Sequence, residues 1–268
     1  MAEYLTNTTD LTKVASAIRE KVGTSDPLVY PDGFASAVAG IKKAPTTPYM
    51  EAEYIAVEDG FGNTSHYIKR AKLYNHTAIY ANEFKGQEQL QNLDFSDASN
   101  NITAIEQNAF EYALVNGLVL PNTISALHSL CFNGAYIATL TVPPLVTVLP
   151  TETFSNIQPV YNNETEEELP TNIILPQNLT KIGISCFYGA SIKQIAIPDT
   201  VTEIGDMAFS YCYQLASITC LAATPPALGY DAFGPNTAGL TIKVPAASVA
   251  AYKAAAGWNI WADIIVAM

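Results

Sequence analysis

Phenylalanine recurs along this chain at positions 110, 132, 154, 187 and 209, in steps of 22, 22, 33 and 22 residues. The long step is one period with 11 residues inserted. Each Phe carries the same escort. Five positions before it stands an aliphatic residue (Ile105, Leu127, Leu149, Ile182, Ile204), and three before that another (Ile102, Ile124, Val146, Leu179, Val201). Three earlier again, most units carry proline: Pro121, Pro143, Pro176 and Pro198. Ile79 with Phe84, and Leu228 with Phe233, keep the five-residue step at either end, which makes about seven units between residues 75 and 240. A fixed period of this length means a stacked solenoid, because one unit cannot bury its own apolar residues and neighbouring units can.

Each unit has a physical reading. A short alternating run precedes the proline: Leu118-Val119-Leu120, Leu140-Thr141-Val142, Ile173-Ile174-Leu175, Ile195-Ala196-Ile197. Alternation with period two predicts a strand with one buried face, and proline ends it because it has no N–H for the ladder. The return stretch, such as IGDMAF at 204–209, is too short for a regular helix and predicts a helical turn or irregular arc. With 49% hydrophobic and only 14% charged residues, the chain can fill such a core.

The unit IAIPDTVTEIGDMAFSYCYQLASI (195–218) resembles the BspA-type leucine-rich repeat, and the tail TIKVPAASVAAYKAAAGWNIWADII (241–265) looks like the segment that ends such arrays. The resemblance implies an α/β repeat: a leucine-rich-repeat solenoid with a parallel β ladder, about seven coils of about 22 residues. Proteins of this type are commonly bacterial surface or secreted proteins implicated in adhesion, and they also occur in phage-like genes. The N-terminus, MAEYLTNTTDLTK, has no basic region followed by an apolar one, so it departs from the secreted pattern and leaves localisation open.

The ends differ from the array. Leu11, Val14, Ala15, Ile18 and Val22 form an apolar stripe at helical spacing, followed by Phe34, Val38 and Ile41, so residues 1–43 predict a small helical hairpin. The stretch 11–41 is similar to N-terminal modules of phage tail or baseplate-associated proteins, which implies attachment to a particle or self-association. A cap on the first coil is the alternative. Residues 44–78 predict a linker and sheet-starting strands, 79–240 the solenoid, and 241–268 a C-terminal cap. In that cap a helix over Ala246–Ala256 follows Pro245, and Trp258, Ile260 and Trp261 cover the last coil. The insertion, residues 156–171, clusters Glu164, Glu166, Glu167 and Glu168, which reads as a solvated acidic loop rather than a calcium site, since the spacing matches no EF-hand.

Several function classes lose ground here. A net charge of −12 disfavours nucleic acid and anionic membrane surfaces as partners, because both need clustered Lys and Arg. No apolar run has the ~18 residues needed to span a bilayer. His66, His76 and His128 form no HExxH motif, and the GFGNTS stretch at 60–65 lacks a dinucleotide fingerprint; no cofactor, metal or catalytic motif is expected. Cys131 and Cys186 stand beside the repeat Phe, Cys212 in an otherwise alanine slot, and Cys220 in an inward strand slot after a one-residue slip, so all four predict small buried thiols.

Two surfaces remain. The outward strand positions Asn92, Asp94, Val119, Thr139, Thr141, Asn172, Ile174, Gln194, Ala196, Ser217 and Thr219 form one ladder of mostly small, uncharged side chains. Tyr112, Tyr136, Tyr188, Tyr211 and Tyr213 follow the Phe positions and offer contact area at low entropy cost. The competing readings bind nothing: a parallel ladder tolerates Thr and small residues without any ligand, and the tyrosines can pack as a ridge with their hydroxyls in water. The expectation is a non-enzymatic protein that recognises a protein or glycan through the solenoid face. The alternative is a structural spacer without a ligand.

Overall fold

The computed structural model describes residues 48–58, 63–115, 117–161, 167–236 and 239–268. The chain divides between Thr47 and Pro48, inside the stretch expected as linker and starting strands. The helical hairpin expected over 1–43, and Glu164 and Glu166 of the insertion, lie outside the described residues.

From Pro48 onward the chain winds into a parallel β-solenoid of about eight turns. It opens with a hairpin, in the stretch expected to supply the sheet-starting strands. Strand β1 (Tyr49–Glu58) pairs antiparallel with β2 (Thr64–Tyr74), and β2 then pairs parallel with β4 (Asn92–Asp94). The same face continues through β7 (Thr139–Thr141) and β11 (Asn172–Ile174), which pair in parallel. It ends in the parallel sheet β13 (Gln194–Ile197), β15 (Ser217–Cys220), β17 (Thr241–Val244) and β18 (Ile265–Ala267). Ile195, Ile218, Ile242 and Ile265 stand in one inward column of that sheet, and Cys220 pairs with Ile197.

Of the helical turn or irregular arc expected for the return stretch, the helical form is absent among the described residues, and the arc has more order than expected. It begins with a second ladder of two-residue strands: β3 (Ala78–Ile79), β5 (Ala104–Ile105), β6 (Ala126–Leu127), β8 (Val148–Leu149), β12 (Lys181–Ile182), β14 (Glu203–Ile204) and β16 (Ala227–Leu228). These pair in parallel as two sheets, β3-β5-β6 and β8-β12-β14-β16. Turns follow. Each holds a left-handed residue two positions before its Phe (Asn108, Leu130, Glu152, Ser185, Met207), and Gly86, Gly134 and Gly189 occupy the left-handed position two after it. Close stacking excludes even one methyl group at the corner: a Cβ on Gly205 would lie 2.7 Å from the Ile184 nitrogen of the preceding coil.

The repeat Phe residues build the core. Seven of them, Phe84, Phe110, Phe132, Phe154, Phe187, Phe209 and Phe233, are fully buried. Their rings form a column with successive centroids 5.1 Å (Phe187–Phe209) to 5.9 Å (Phe209–Phe233) apart and planes inclined by no more than 22°. Stacking energy and area burial thus accumulate along the axis.

The C-terminal cap is shorter than expected. The segment Ala246–Ser248 is a 3₁₀ turn, and helix α1 covers only Val249–Ala254. Trp258 closes the Phe column 5.5 Å from Phe233, and its Nε1–H donates to the Pro226 carbonyl at 2.7 Å. The Tyr252 hydroxyl donates to the Ala222 carbonyl. Ile260, expected to cover the last coil, is exposed; β18 instead carries the covering role, since Ile265 is buried and extends the ladder by one strand. The insertion forms a two-stranded hairpin, β9 (Val160–Tyr161) with β10 (Glu168–Leu169), and Glu168 pairs with Lys193 at 3.5 Å.

Candidate binding surface

The outward side of the first ladder has two chemistries. At its N-terminal end, Glu53 faces Arg70 and Glu51 faces Lys72 across the hairpin, and Arg70 and Lys72 face Asn92 and Asp94 across the next pair. Lys72 lies 3.8 Å from Asp94, and Lys69 lies 3.3 Å from Glu53. Hydrogen bonds from Ser96 hold the Asp94 carboxyl below its ordinary range. Asn92 and Asp94 therefore belong to a charged patch rather than to the neutral ladder expected from sequence.

From β7 onward the expected set holds together. Thr139 stands opposite Asn172 and Thr141 opposite Ile174, while Gln194 pairs with Ser217 and Ala196 with Thr219. Thr139, Thr141, Asn172, Ile174, Gln194 and Ala196 are exposed; Ser217 and Thr219 are half-buried. None of these eight side chains is charged.

Val119 departs from the pattern. Residues 118–120 form no strand, and Val119 is 82% exposed. Gly117, at φ +71°, turns the chain before the run, so an alternating sequence here does not become a rung. A cavity of about 80 Å³ remains beside it, lined by Leu90, Asn92, Leu93, Leu114, Leu118 and Val119 among others.

The tyrosines divide as well. Tyr188 and Tyr211 have centroids 5.0 Å apart, and Tyr211 and Tyr213 are 6.0 Å apart, so three rings meet. Tyr112 instead lies over Gly134 of the next coil, where a Cβ would come within 2.3 Å of its ring. Tyr136 is exposed and joins, through its backbone, a short run of bridges with Leu114 and Gln158.

Of the histidines, His66 and His128 are exposed, whereas His76 is buried. Its Nε2 pairs with Glu83 Oε1 at 2.8 Å, and Nδ1 meets the Tyr74 carbonyl at 2.9 Å. A lone His outside the repeat register gave no signal for this pair. Among the described residues no cluster of three His, Cys, Asp or Glu is placed to hold a metal ion. Among them also, no helix is long and apolar enough to cross a membrane.

All four cysteines are buried and free. Burial pushes the thiols of Cys186, Cys212 and Cys220 up to about 12, and raises Cys131 as well. A raised thiol pKa keeps the neutral, unreactive form up to that pH. We expect iodoacetamide at pH 8 to leave the native protein unlabelled over hours and to label four thiols once urea unfolds it, read by intact mass. Rapid native labelling of any one would contradict this burial.

Comparison with known proteins bears on architecture. The BspA type leucine-rich-repeat region is matched in six copies, over residues 77–171 and 166–248. Among solved structures, the pneumococcal vaccine antigen PcpA is 13% identical over 70% of this chain and 63% of its own, with a TM-score of 0.29. A leucine-rich repeat protein from Bacteroides ovatus is 14% identical over 75% of this chain and 66% of its own, also with a TM-score of 0.29. The chain thus spans less than two thirds of either. No curated protein matches it.

Proposed function

This chain belongs to the BspA-type leucine-rich-repeat family, and on that premise we propose that it is a non-catalytic binding protein that recognises a protein or glycan through the outward face of its first ladder. The observation that carries the reading is the neutral stretch from β7 to β15. In a chain with a net charge of −12, eight adjacent outward positions carry no charge. Ile174 stands exposed at their centre, and hydrogen bonding to neighbouring coils fixes their spacing. A rigid neutral surface needs little ordering on association, which lowers the entropic cost of binding.

The test is a screen of the full chain on a glycan array and on intact bacterial and epithelial cells. It is repeated with a Thr141→Glu/Ile174→Glu variant. Both positions are exposed, so the variant should melt at the parent temperature. We expect saturable binding by the parent and at least a tenfold loss in the variant. Binding that survives the two charges would move the site elsewhere. No binding by the parent on any surface would overturn the reading in favour of a spacer.

A further inference from the structure

We propose that Tyr188, Tyr211 and Tyr213 form a binding site for a neutral polysaccharide, held by stacking of pyranose rings on the tyrosine faces. This rests on the binding-protein reading above and adds to the ladder face a second site, with its ligand class, on the turn after the Phe column.

Three observations converge on these rings. The first is backbone conformation. The position two after the repeat Phe is left-handed in six successive coils: Gly86, Gly134 and Gly189 fill it in three, and Tyr112 and Asn156 in two more, where each side chain packs over the glycine of the next coil. Tyr211 holds it at φ +61°. A side chain with a Cβ is disfavoured there, and strain of this kind persists where something else requires the residue. In the companion left-handed position, Leu130 and Met207 are half-buried, and packing offsets the strain. Tyr211 has less of that offset, being 38% exposed.

The second observation is clustering. Tyr213, one residue beyond Cys212, is 62% exposed, yet its ring sits edge-on to Tyr211 at 6.0 Å and 86°. Tyr188 meets Tyr211 from the preceding coil at 5.0 Å and 47°. The three rings make a stepped surface, with a step comparable to one sugar unit. Rings inclined to each other suit a single twisted chain better than the flat face of a crystalline polymer.

The third is charge. Among the described residues, a cation–π contact is made between Lys72 and Tyr74 at 5.4 Å, and none is made to these three tyrosines. Anionic polymers also face repulsion from the net charge of −12. A neutral pyranose presents an apolar C–H face to an aromatic ring and hydroxyls at its edge, where tyrosine hydroxyls donate or accept hydrogen bonds.

The experiment titrates the full chain with cellohexaose, chitohexaose and xylohexaose, with polygalacturonate as the acidic comparison, by calorimetry and tyrosine fluorescence. Variants are Tyr211→Ala/Tyr213→Ala, Tyr211→Gly and Thr141→Glu/Ile174→Glu. We expect a neutral hexasaccharide to bind and to perturb tyrosine emission. The double alanine variant should weaken that binding at least tenfold. Tyr211→Gly should weaken it while lowering the melting temperature by no more than a few degrees, because relief of the left-handed backbone offsets part of the lost ring packing. A larger fall in melting temperature for Tyr211→Gly would mark the ring as packing and overturn the proposal. So would absence of binding to all three neutral sugars, or binding lost only in the ladder variant. The first and last of these leave the ladder-face reading standing on its own screen.

Discussion

Replacing Phe154 by alanine is expected to cost about 3–5 kcal/mol of folding stability, the range for removing a fully buried aromatic ring. The ring sits mid-column, 5.3 Å from Phe132 and 5.4 Å from Phe187, with no exposed surface. Collapse around the void is restricted. The Phe154 N–H donates to the Cys186 carbonyl at 2.8 Å, and the Phe132 N–H donates to the Thr153 carbonyl at 3.0 Å, so the coils on both sides are tied in place. The loss also breaks nearest-neighbour coupling, on which a repeat array depends. Urea unfolding followed by circular dichroism should show a lower midpoint and a transition that broadens or splits, as the two halves stop unfolding together. An exposed control, Val119→Ala, with the side chain 82% exposed, should change stability by less than about 0.5 kcal/mol. A Phe154→Ala protein that unfolds in one step within about 1 kcal/mol of the parent would show that stacking along the axis is not what couples the coils.

The Phe column was legible in the sequence because every inward position of a coil meets the same environment as its counterpart one period away. Ile105, Phe110 and their equivalents must therefore repeat. The second ladder was not legible. Its strands have two residues, of which one faces inward, as in Lys181–Ile182, and two residues cannot display an alternation. Leu118-Val119-Leu120 was legible in its facing, with Leu120 buried, Leu118 against the core and Val119 exposed, but not in its pairing, since after the turn at Gly117 the run forms no strand. At the C-terminus, IIVAM reads as a short apolar tail, and only the parallel pairing of Ile265 with Ile242 makes it a ladder strand. On the candidate surface, the neutral outward positions followed from spacing once the inward ones were known. The charged surroundings of Asn92 and Asp94 did not, because they come from β1 and β2, outside the repeat.

Breaking the buried pair at the start of the array should also destabilise the fold. Removing one partner of a buried hydrogen-bonded pair typically costs about 1–3 kcal/mol, and more when the group left behind is charged, because it stays desolvated and unpaired. Glu83 Oε1 meets His76 Nε2 at 2.8 Å, and Glu83 Oε2 accepts the Tyr80 N–H at 2.8 Å. The His76 backbone extends the network. Its N–H donates to Asn100 Oδ1, its carbonyl accepts the Asn101 N–H, and Asn100 Nδ2 donates to the Leu73 carbonyl at the end of β2. These bonds join the hairpin strand to the first coil, just where the repeat begins. Glu83→Leu should therefore destabilise strongly, and His76→Leu likewise. The double variant should recover part of the loss: two apolar side chains need no partners, while the Tyr80 N–H and the Tyr74 carbonyl lose theirs. A double-mutant cycle by urea unfolding measures this, with amide exchange at Asn100 and Asn101 reporting whether the first coil frays before the rest. Additivity of the two single losses within about 0.5 kcal/mol would mean that the two side chains act independently. A coupling well above that would identify the pair as the clasp that closes the N-terminal end of the solenoid.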